Sequence, residues 1–222
     1  MSFRPAARQF FERRGAPTPP LPYDAEVEYL ESTGTQWIEL DYFVGNMLEI
    51  FGKVRVVGDT SEQDIVGNQD DTTGRFALGW TGGNSTGKRR MFAYSRDRTS
   101  NDGNAWLDFP LNGNLTWEFS CLYNTSDNYK ILTDGTKTNI VRRCKNISNM
   151  NQKVRLLSGT GGASNSFRFT GRTFFLHLKK DGVSWYNLIP VRKEGVGYMY
   201  DRVSGQLLGN GGTGDFVIGP DK

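Results

Sequence analysis

Leu48-Glu49-Ile50-Phe51-Gly52-Lys53-Val54-Arg55-Val56 is the stretch that decides the fold class. Leu48, Ile50, Gly52, Val54 and Val56 alternate with Glu49, Phe51, Lys53 and Arg55, which predicts a half-buried strand about ten residues long. A period of two places one set of side chains on a core and the other in solvent. The same alternation returns at Phe76/Leu78/Trp80, along Leu115, Trp117, Phe119, Cys121 and Tyr123, and at Phe167/Phe169, Phe174/Leu176/Leu178 and Val183/Trp185. Between these runs fall the turn signals Asp134-Gly135, Asp181-Gly182, Ser204-Gly205 and Gly211-Gly212. After residue 22 no segment keeps a helical apolar period. Many strands at short spacing predict an all-β domain, a two-sheet sandwich or a barrel. A chain of 222 residues fits one such domain.

Residues 1–22 read differently. Pro17, Pro19, Pro20 and Pro22 predict an extended, semi-rigid spacer. Ahead of it, Pro5 suits a first helical turn, Arg8 and Glu12 stand four apart, and Gly15 suits the position after a C-cap. A helix this short is not stable alone in water, so ordering would require a partner. The expectation is an anchoring arm over 1–22, with Arg4, Arg8, Phe10, Phe11, Arg13 and Arg14 as the contact residues, followed by a β-sandwich over 23–222.

Charge sorts the same way. The four arm arginines against Glu12 account for the whole net charge of +3, so the rest of the chain sums to zero. Such a body has no bias towards a phosphate backbone, and no nucleic-acid partner is expected. No apolar stretch approaches the roughly 18 residues of a membrane span, so no membrane insertion is expected. Met1 to Arg14 has neither an apolar core nor a small-residue cleavage site, which argues against a secretory signal.

Several stretches approach catalytic or metal motifs and fail on their chemistry. Gly82-Gly83-Asn84-Ser85-Thr86-Gly87-Lys88-Arg89 approaches a phosphate-binding loop, but arginine stands where a hydroxyl must ligate Mg²⁺. Strand-like Met91-Phe92-Ala93-Tyr94 follows it where that motif needs a helix. A hairpin tip explains the composition. His177, the single histidine, alternates with Phe175 and Lys179 on the side away from the core, and no nucleophile elbow accompanies it. One histidine and two separated cysteines are too few ligands for zinc. Cys121 lies on the apolar side of its run and is expected as a buried free thiol; a bridge to Cys144 is the alternative. The pairs Glu26/Glu28 and Glu39/Asp41 lack the third acid and the flanking aromatics of a glycosidase strand, so no enzyme is expected. Asp70 and Asp71 in one loop are weak candidates for Ca²⁺, and no other cofactor is expected.

Aromatic residues beside amides and carboxylates suit a sugar, whose apolar face stacks while its hydroxyls hydrogen-bond. The candidates are Trp37, which should share a face with Glu39 and Asp41, Tyr94, and Trp106 with Asn104. Trp80, Trp117 and Trp185 sit in apolar stripes and read as core.

Two terminal segments carry a resemblance. They are Glu28-Tyr29-Leu30-Glu31-Ser32-Thr33-Gly34-Thr35-Gln36-Trp37-Ile38 and, near the end, Ile189-Pro190-Val191-Arg192, Gly197-Tyr198-Met199-Tyr200-Asp201-Arg202-Val203-Ser204-Gly205 and Gly212-Thr213-Gly214-Asp215-Phe216. Together they resemble the LamG-like, concanavalin A-like jelly-roll domains of structural proteins of tailed bacteriophages and prophages, and of gut-bacterial surface proteins. The resemblance spans residues 23–220 or so. It implies a two-sheet antiparallel sandwich whose first and last strands are neighbours, with Tyr-Asp-x-x-Ser-Gly as a tight turn. It further implies a non-enzymatic accessory protein of a virion (head, fibre or tail), assembled in the host cytoplasm and released by lysis. The arm would join other virion proteins, and the sandwich would meet host-surface polysaccharide or neighbouring subunits, an arrangement compatible with a homo-oligomer. The alternative implied is a carbohydrate-binding module of a bacterial surface or glycan-utilisation protein. The calcium-rim residues of the wider group find no counterpart here.

Overall fold

The computed structural model describes residues 20–57, 62–70, 74–82, 88–96, 101–110, 116–144, 149–158 and 167–222. The arm residues Arg4, Arg8, Phe10, Phe11, Arg13 and Arg14 lie outside them, as do Asp71 and most of the phosphate-loop look-alike. The first strands are β1 (Ala25–Glu26), β2 (Leu30–Thr33), β3 (Ile38–Val44), β4 (Met47–Val56), β5 (Gln63–Asp70) and β6 (Gly74–Thr81). Then come β7 (Lys88–Arg96), β8 (Asn101–Pro110), β9 (Thr116–Asn124), β10 (Tyr129–Thr133), β11 (Thr138–Val141) and β12 (Asn149–Leu156). The chain ends with β13 (Thr170–Lys180), β14 (Val183–Lys193), β15 (Val196–Asp201), β16 (Leu207–Leu208) and β17 (Val217–Ile218).

These strands form two antiparallel sheets. The larger runs β11-β10-β9-β4-β13-β14-β15-β16, with β1 on β14, β2 on β13 and β17 on β2. The smaller runs β3-β12-β5-β6-β7-β8. Their inner faces make one core. On the large sheet Leu48, Ile50, Val54 and Val56 point inward beside Trp117, Phe119, Cys121 and Tyr123, with Ile50 opposite Cys121 and Val54 opposite Trp117. On the small sheet Leu156, Val66, Leu78, Ala93 and Ala105 stand in register and are all buried. Trp80 and Phe109 of the small sheet close on Trp117 of the large one, with ring centroids 4.0 and 3.9 Å away. Each large apolar side chain buried this way contributes about 1.5–3 kcal/mol.

The strand alternation of the sequence survives with local exceptions. Phe174 leaves the expected stripe, because β13 bulges between Thr173 and Phe175 and turns Thr173 inward, so Phe174 packs against Tyr29 and Lys53 instead. Trp185 is only half-buried, edge-on to Phe43 at 5.6 Å, and Val183 is 70% exposed, so that pair is not the core stripe expected. Lys130 takes an inward position on β10 and is fully buried; its Nζ donates to Ser95 Oγ at 2.8 Å. Cys121 and Cys144 are both buried thiols, with no disulfide joining them. Burial pushes the Cys121 thiol well above its ordinary range. Asp181-Gly182 joins β13 to β14 with positive φ at both residues (49° and 79°), the two-residue type I′ geometry whose twist matches the strands.

The two terminal motifs are one interlocked structure. Leu30 and Glu31 pair with Ile218 and Val217, and Val27 bridges to Asp221. Buried Gln36 ties the ends together: its Oε1 accepts from the Thr33 amide at 2.8 Å, and its Nε2 donates to the carbonyls of Thr213 and Asp215 at 3.4 and 3.1 Å. Asp201 is fully buried and organises the Tyr-Asp-x-x-Ser-Gly turn. Its carboxylate accepts from the amides of Asn187, Val203 and Ser204 and from Ser204 Oγ. Both motifs therefore fix the closure of the sandwich.

Candidate functional site

On the outer face of the small sheet, antiparallel pairing sets β6, β7 and β8 in rows: Ala77-Tyr94-Asn104, Gly79-Phe92-Trp106 and Thr81-Arg90-Asp108. Residues opposite one another across an antiparallel pair share a face. Phe92 packs edge-to-face on Trp106, centroids 5.7 Å apart. A depression of about 220 Å³ lies over these rows, lined by Glu62, Thr81, Phe92, Tyr94, Asn104 and Trp106. Three aromatic rings surround an amide, a carboxylate and a hydroxyl. Gly79 is needed here: a Cβ would meet the Gln63 carbonyl and come within 2.6 Å of the Phe92 ring. The absence of a side chain is what lets Phe92 lie down on the sheet.

Beyond Trp106, β8 is the edge of its sheet. The β10–β11 hairpin of the other sheet comes alongside and caps its outward carbonyls. Asn139 Nδ2 donates to the Trp106 carbonyl and Lys137 Nζ to that of Asp108, both at 3.0 Å. A second groove of about 440 Å³ runs here, lined by Arg90, Trp106, Leu107, Asp108, Lys137, Thr138 and Asn139. Trp106 stands on the rim of both.

Of the residues singled out in the sequence, Tyr94, Asn104 and Trp106 come together. Trp37 does not join them. It precedes β3, at the opposite edge of the sheet, and its ring is engaged by packing: the Arg155 guanidinium lies 4.0 Å from its centroid, and the Gly211-Gly212 backbone lies against it. Its partner Arg155 is three strands from Tyr94, about 14 Å at the usual strand spacing. Glu39, expected to share its face, forms ion pairs with Lys153 at 2.9 Å and Arg155 at 3.5 Å, and the Lys153 hydrogen bond holds its carboxyl below the usual range. Asp41 hydrogen-bonds the Tyr186 hydroxyl.

The remaining candidates stand apart from the depression. His177 lies on the outer face of the large sheet with Nε2 2.9 Å from Ser184 Oγ; partial burial and Lys179 lower its pKa. Glu26 is engaged by Tyr23 and Arg202. Asp70 ends β5, and among the described residues no three His, Cys, Asp or Glu side chains gather to hold a metal. Sequence reasoning missed Glu62 and Phe92. In the sequence Phe92 reads only as a strand residue, and Glu62 belongs to neither of the carboxylate pairs considered above. The signal was there: Glu62 and Asp64 stand two apart at the start of β5, and Asp64 opposes Gly79 on the outer face.

No protein-family model and no curated protein matches the sequence. Solved structures do match in shape. The carbohydrate-binding module CBM40 of the Ruminococcus gnavus IT-sialidase, bound to α2,3-sialyllactose, superposes with a TM-score of 0.51 at 13% identity, over 69% of this chain and 90% of that one. A putative carbohydrate-binding protein of Bacteroides ovatus gives 0.58 at 12% identity, covering 89% of this chain and 61% of that one. The chain is a concanavalin-like jelly roll. Tailspike protein 2 of bacteriophage CBA120, in its enzymatically active domain, gives 0.51 at 8% identity over 68% of this chain, which spans only 25% of the tailspike. At such identities the likeness establishes the fold of this jelly roll and leaves its ligand to its own residues.

Proposed function

We propose that this jelly roll is a non-catalytic glycan-binding domain whose ligand stacks in the depression on the small sheet. The observation that carries the reading is the row arrangement that gathers Phe92, Tyr94, Asn104 and Trp106 around one concavity of sugar-ring size. Trp106 and Tyr94 supply the stacking faces, Phe92 the floor, and Asn104, Thr81 and Glu62 the hydrogen-bonding groups. Among the described residues one carboxylate lines the depression, whereas hydrolysis of a glycosidic bond takes a pair that flanks it.

Within that reading we assign the protein to a virion, as an accessory head, fibre or tail component that attaches to host-surface polysaccharide. The LamG-like terminal motifs, the basic aromatic arm with its proline spacer, and the likeness to a phage tailspike support this. The arm residues Arg4, Arg8, Phe10, Phe11, Arg13 and Arg14 dock into other virion proteins. The alternative, a carbohydrate-binding module of a bacterial surface or glycan-utilisation protein, draws on the Ruminococcus and Bacteroides likenesses.

The test is a polysaccharide array probed with the wild-type protein, Trp106→Ala and Tyr94→Ala, with the bound polymer then sized after long incubation. Retention by the wild type, loss in both variants and an unshortened polymer are expected. Equal retention by the variants sinks the site. Shortening of the polymer sinks the non-catalytic assignment and points to Glu62. Particle incorporation that survives deletion of residues 1–22 refutes the tether.

A further inference from the structure

The groove beyond Trp106 differs in chemistry from the depression. Among the described residues it holds two cations, Arg90 and Lys137, against the single carboxylate of Asp108. Asp108 engages Arg90 through Nε at 2.5 Å, which fixes the guanidinium and leaves its two terminal amino groups for another acceptor. The same guanidinium lies 5.6 Å from the Trp106 centroid, so it sits at the rim the two concavities share. Lys137 spends one of its three N–H bonds on the Asp108 carbonyl and rests 4.9 Å over the Phe109 ring. Among the described residues no carboxylate forms an ion pair with its ammonium; Asp134, whose carboxylate accepts from the Lys137 amide and feels the Lys137 charge, does not line the groove. Asn139 uses one of its two amide hydrogens on the Trp106 carbonyl. The groove thus carries an excess of positive charge and of N–H donors, fixed along a sheet edge by hydrogen bonds between the two sheets.

A neutral sugar presents hydroxyls that donate as readily as they accept. A lining rich in donors and one charge short of neutrality favours an anionic oxygen group, because charge-assisted bonds are about twice as strong as neutral ones. We propose that this groove is a second subsite, which takes a carboxylate or sulfate carried by a sugar whose neighbour stacks in the depression, so that the ligand is an acidic polysaccharide. The inference rests on the glycan-binding reading above and adds the substrate class. Arg90 and Lys137 bind the anion, Asn139 donates beside them, and Trp106 divides the two rings. Asp108 is the positioning residue that holds Arg90.

The experiment measures binding of the full chain to three sets of immobilised polymers. They are neutral (dextran, galactan, mannan), carboxylated (polygalacturonate, alginate, polysialic acid) and sulfated (dextran sulfate, chondroitin sulfate). Binding to at least one acidic polymer is expected, weakened tenfold or more between 50 mM and 500 mM NaCl as the exposed charges are screened. Lys137→Gln, which keeps a donor for the Asp108 carbonyl, and Arg90→Gln should each weaken that binding about tenfold, the value of one charge-assisted contact. Lys193→Gln, a cation on β14, should leave it unchanged. The carboxylated and sulfated arms separate the two sources of the anion, and chemical reduction of the carboxyls should abolish binding if the first is right. Binding confined to neutral polymers, or equal in Lys137→Gln and insensitive to salt, overturns the inference and leaves the glycan-binding reading standing. Binding to no polymer overturns both. If Arg90→Gln fails to fold, Lys137→Gln and the salt titration of the wild type still decide.

Discussion

Replacing Asp201 by alanine tests why the terminal motif is written as it is. The carboxylate accepts four hydrogen bonds, from Asn187 N at 2.8 Å, Val203 N at 3.1 Å, Ser204 N at 3.1 Å and Ser204 Oγ at 2.6 Å. Val203 and Ser204 lie in an exposed turn and re-bond to water once the carboxylate is gone. Asn187 lies within β14 and is half-buried, so water replaces the lost acceptor only in part. The cost is then one strand amide left short of its acceptor, about 1–3 kcal/mol, plus about 1 kcal/mol for loosening the turn. We expect a loss of about 3 kcal/mol, or roughly 6–12 °C in the melting midpoint of a domain this size. Asp201→Asn keeps an acceptor for Asn187 but sets an amide donor against the Ser204 amide, so it should lose about half as much. Urea unfolding followed by tryptophan fluorescence reads both, with an unchanged slope showing that only stability moved. A loss below about 0.5 kcal/mol in the alanine variant would refute the claim that this motif closes the fold. Glycan binding by the folded fraction should be untouched, since the turn is remote from Trp106.

Further outcomes follow from the same geometry. Trp37→Ala should destabilise the domain by about 2–4 kcal/mol, by removing the packing under Arg155 and the Gly211-Gly212 loop, yet leave glycan affinity within twofold; a selective loss of binding would return Trp37 to the site. Gly79→Ala should displace Phe92 and weaken glycan binding by the folded protein about tenfold, and the clash of its Cβ with the Gln63 carbonyl should cost about 3 kcal/mol of stability, measured by titration calorimetry and a thermal melt. Cys121 and Cys144 should resist alkylation at pH 8 in the native protein and react fully in denaturant, since burial disfavours the Cys121 thiolate and covers both sulfurs; rapid native labelling would contradict the packing.

The fold was legible because its decisive signals are local. Alternation in β4 and β9 needs no knowledge of partners, and Asp181-Gly182 fixes its own hairpin. Trp185 failed because β13 and β14 slip register at Leu178/Lys179, which shifts the side chains at the start of β14 in a way the alternation of Val183 and Trp185 does not reveal. The site was half legible. Tyr94, Asn104 and Trp106 advertise themselves by composition, but their meeting depends on a register between β7 and β8 that the sequence does not state. Trp37 looked equivalent to Trp106 in a local window. What separates them is a glycine pair more than 170 residues away, brought onto the Trp37 ring by the same Gln36 and Asn210 contacts that close the sandwich. Glu62 and Phe92 are illegible for the converse reason: Glu62 immediately precedes β5 and Phe92 is an ordinary strand residue until Gly79 leaves room for its ring.

The most direct test of the glycan-binding reading follows the five tryptophan indole N–H signals of ¹⁵N-labelled protein during titration with an oligosaccharide of a polymer the protein retains. Signals are assigned by single Trp→Phe variants. The Trp106 signal should move first and saturate with the binding curve, while those of Trp37, Trp80 and Trp117 hold still. Saturable binding that moves the Trp37 signal and leaves Trp106 in place would contradict that reading.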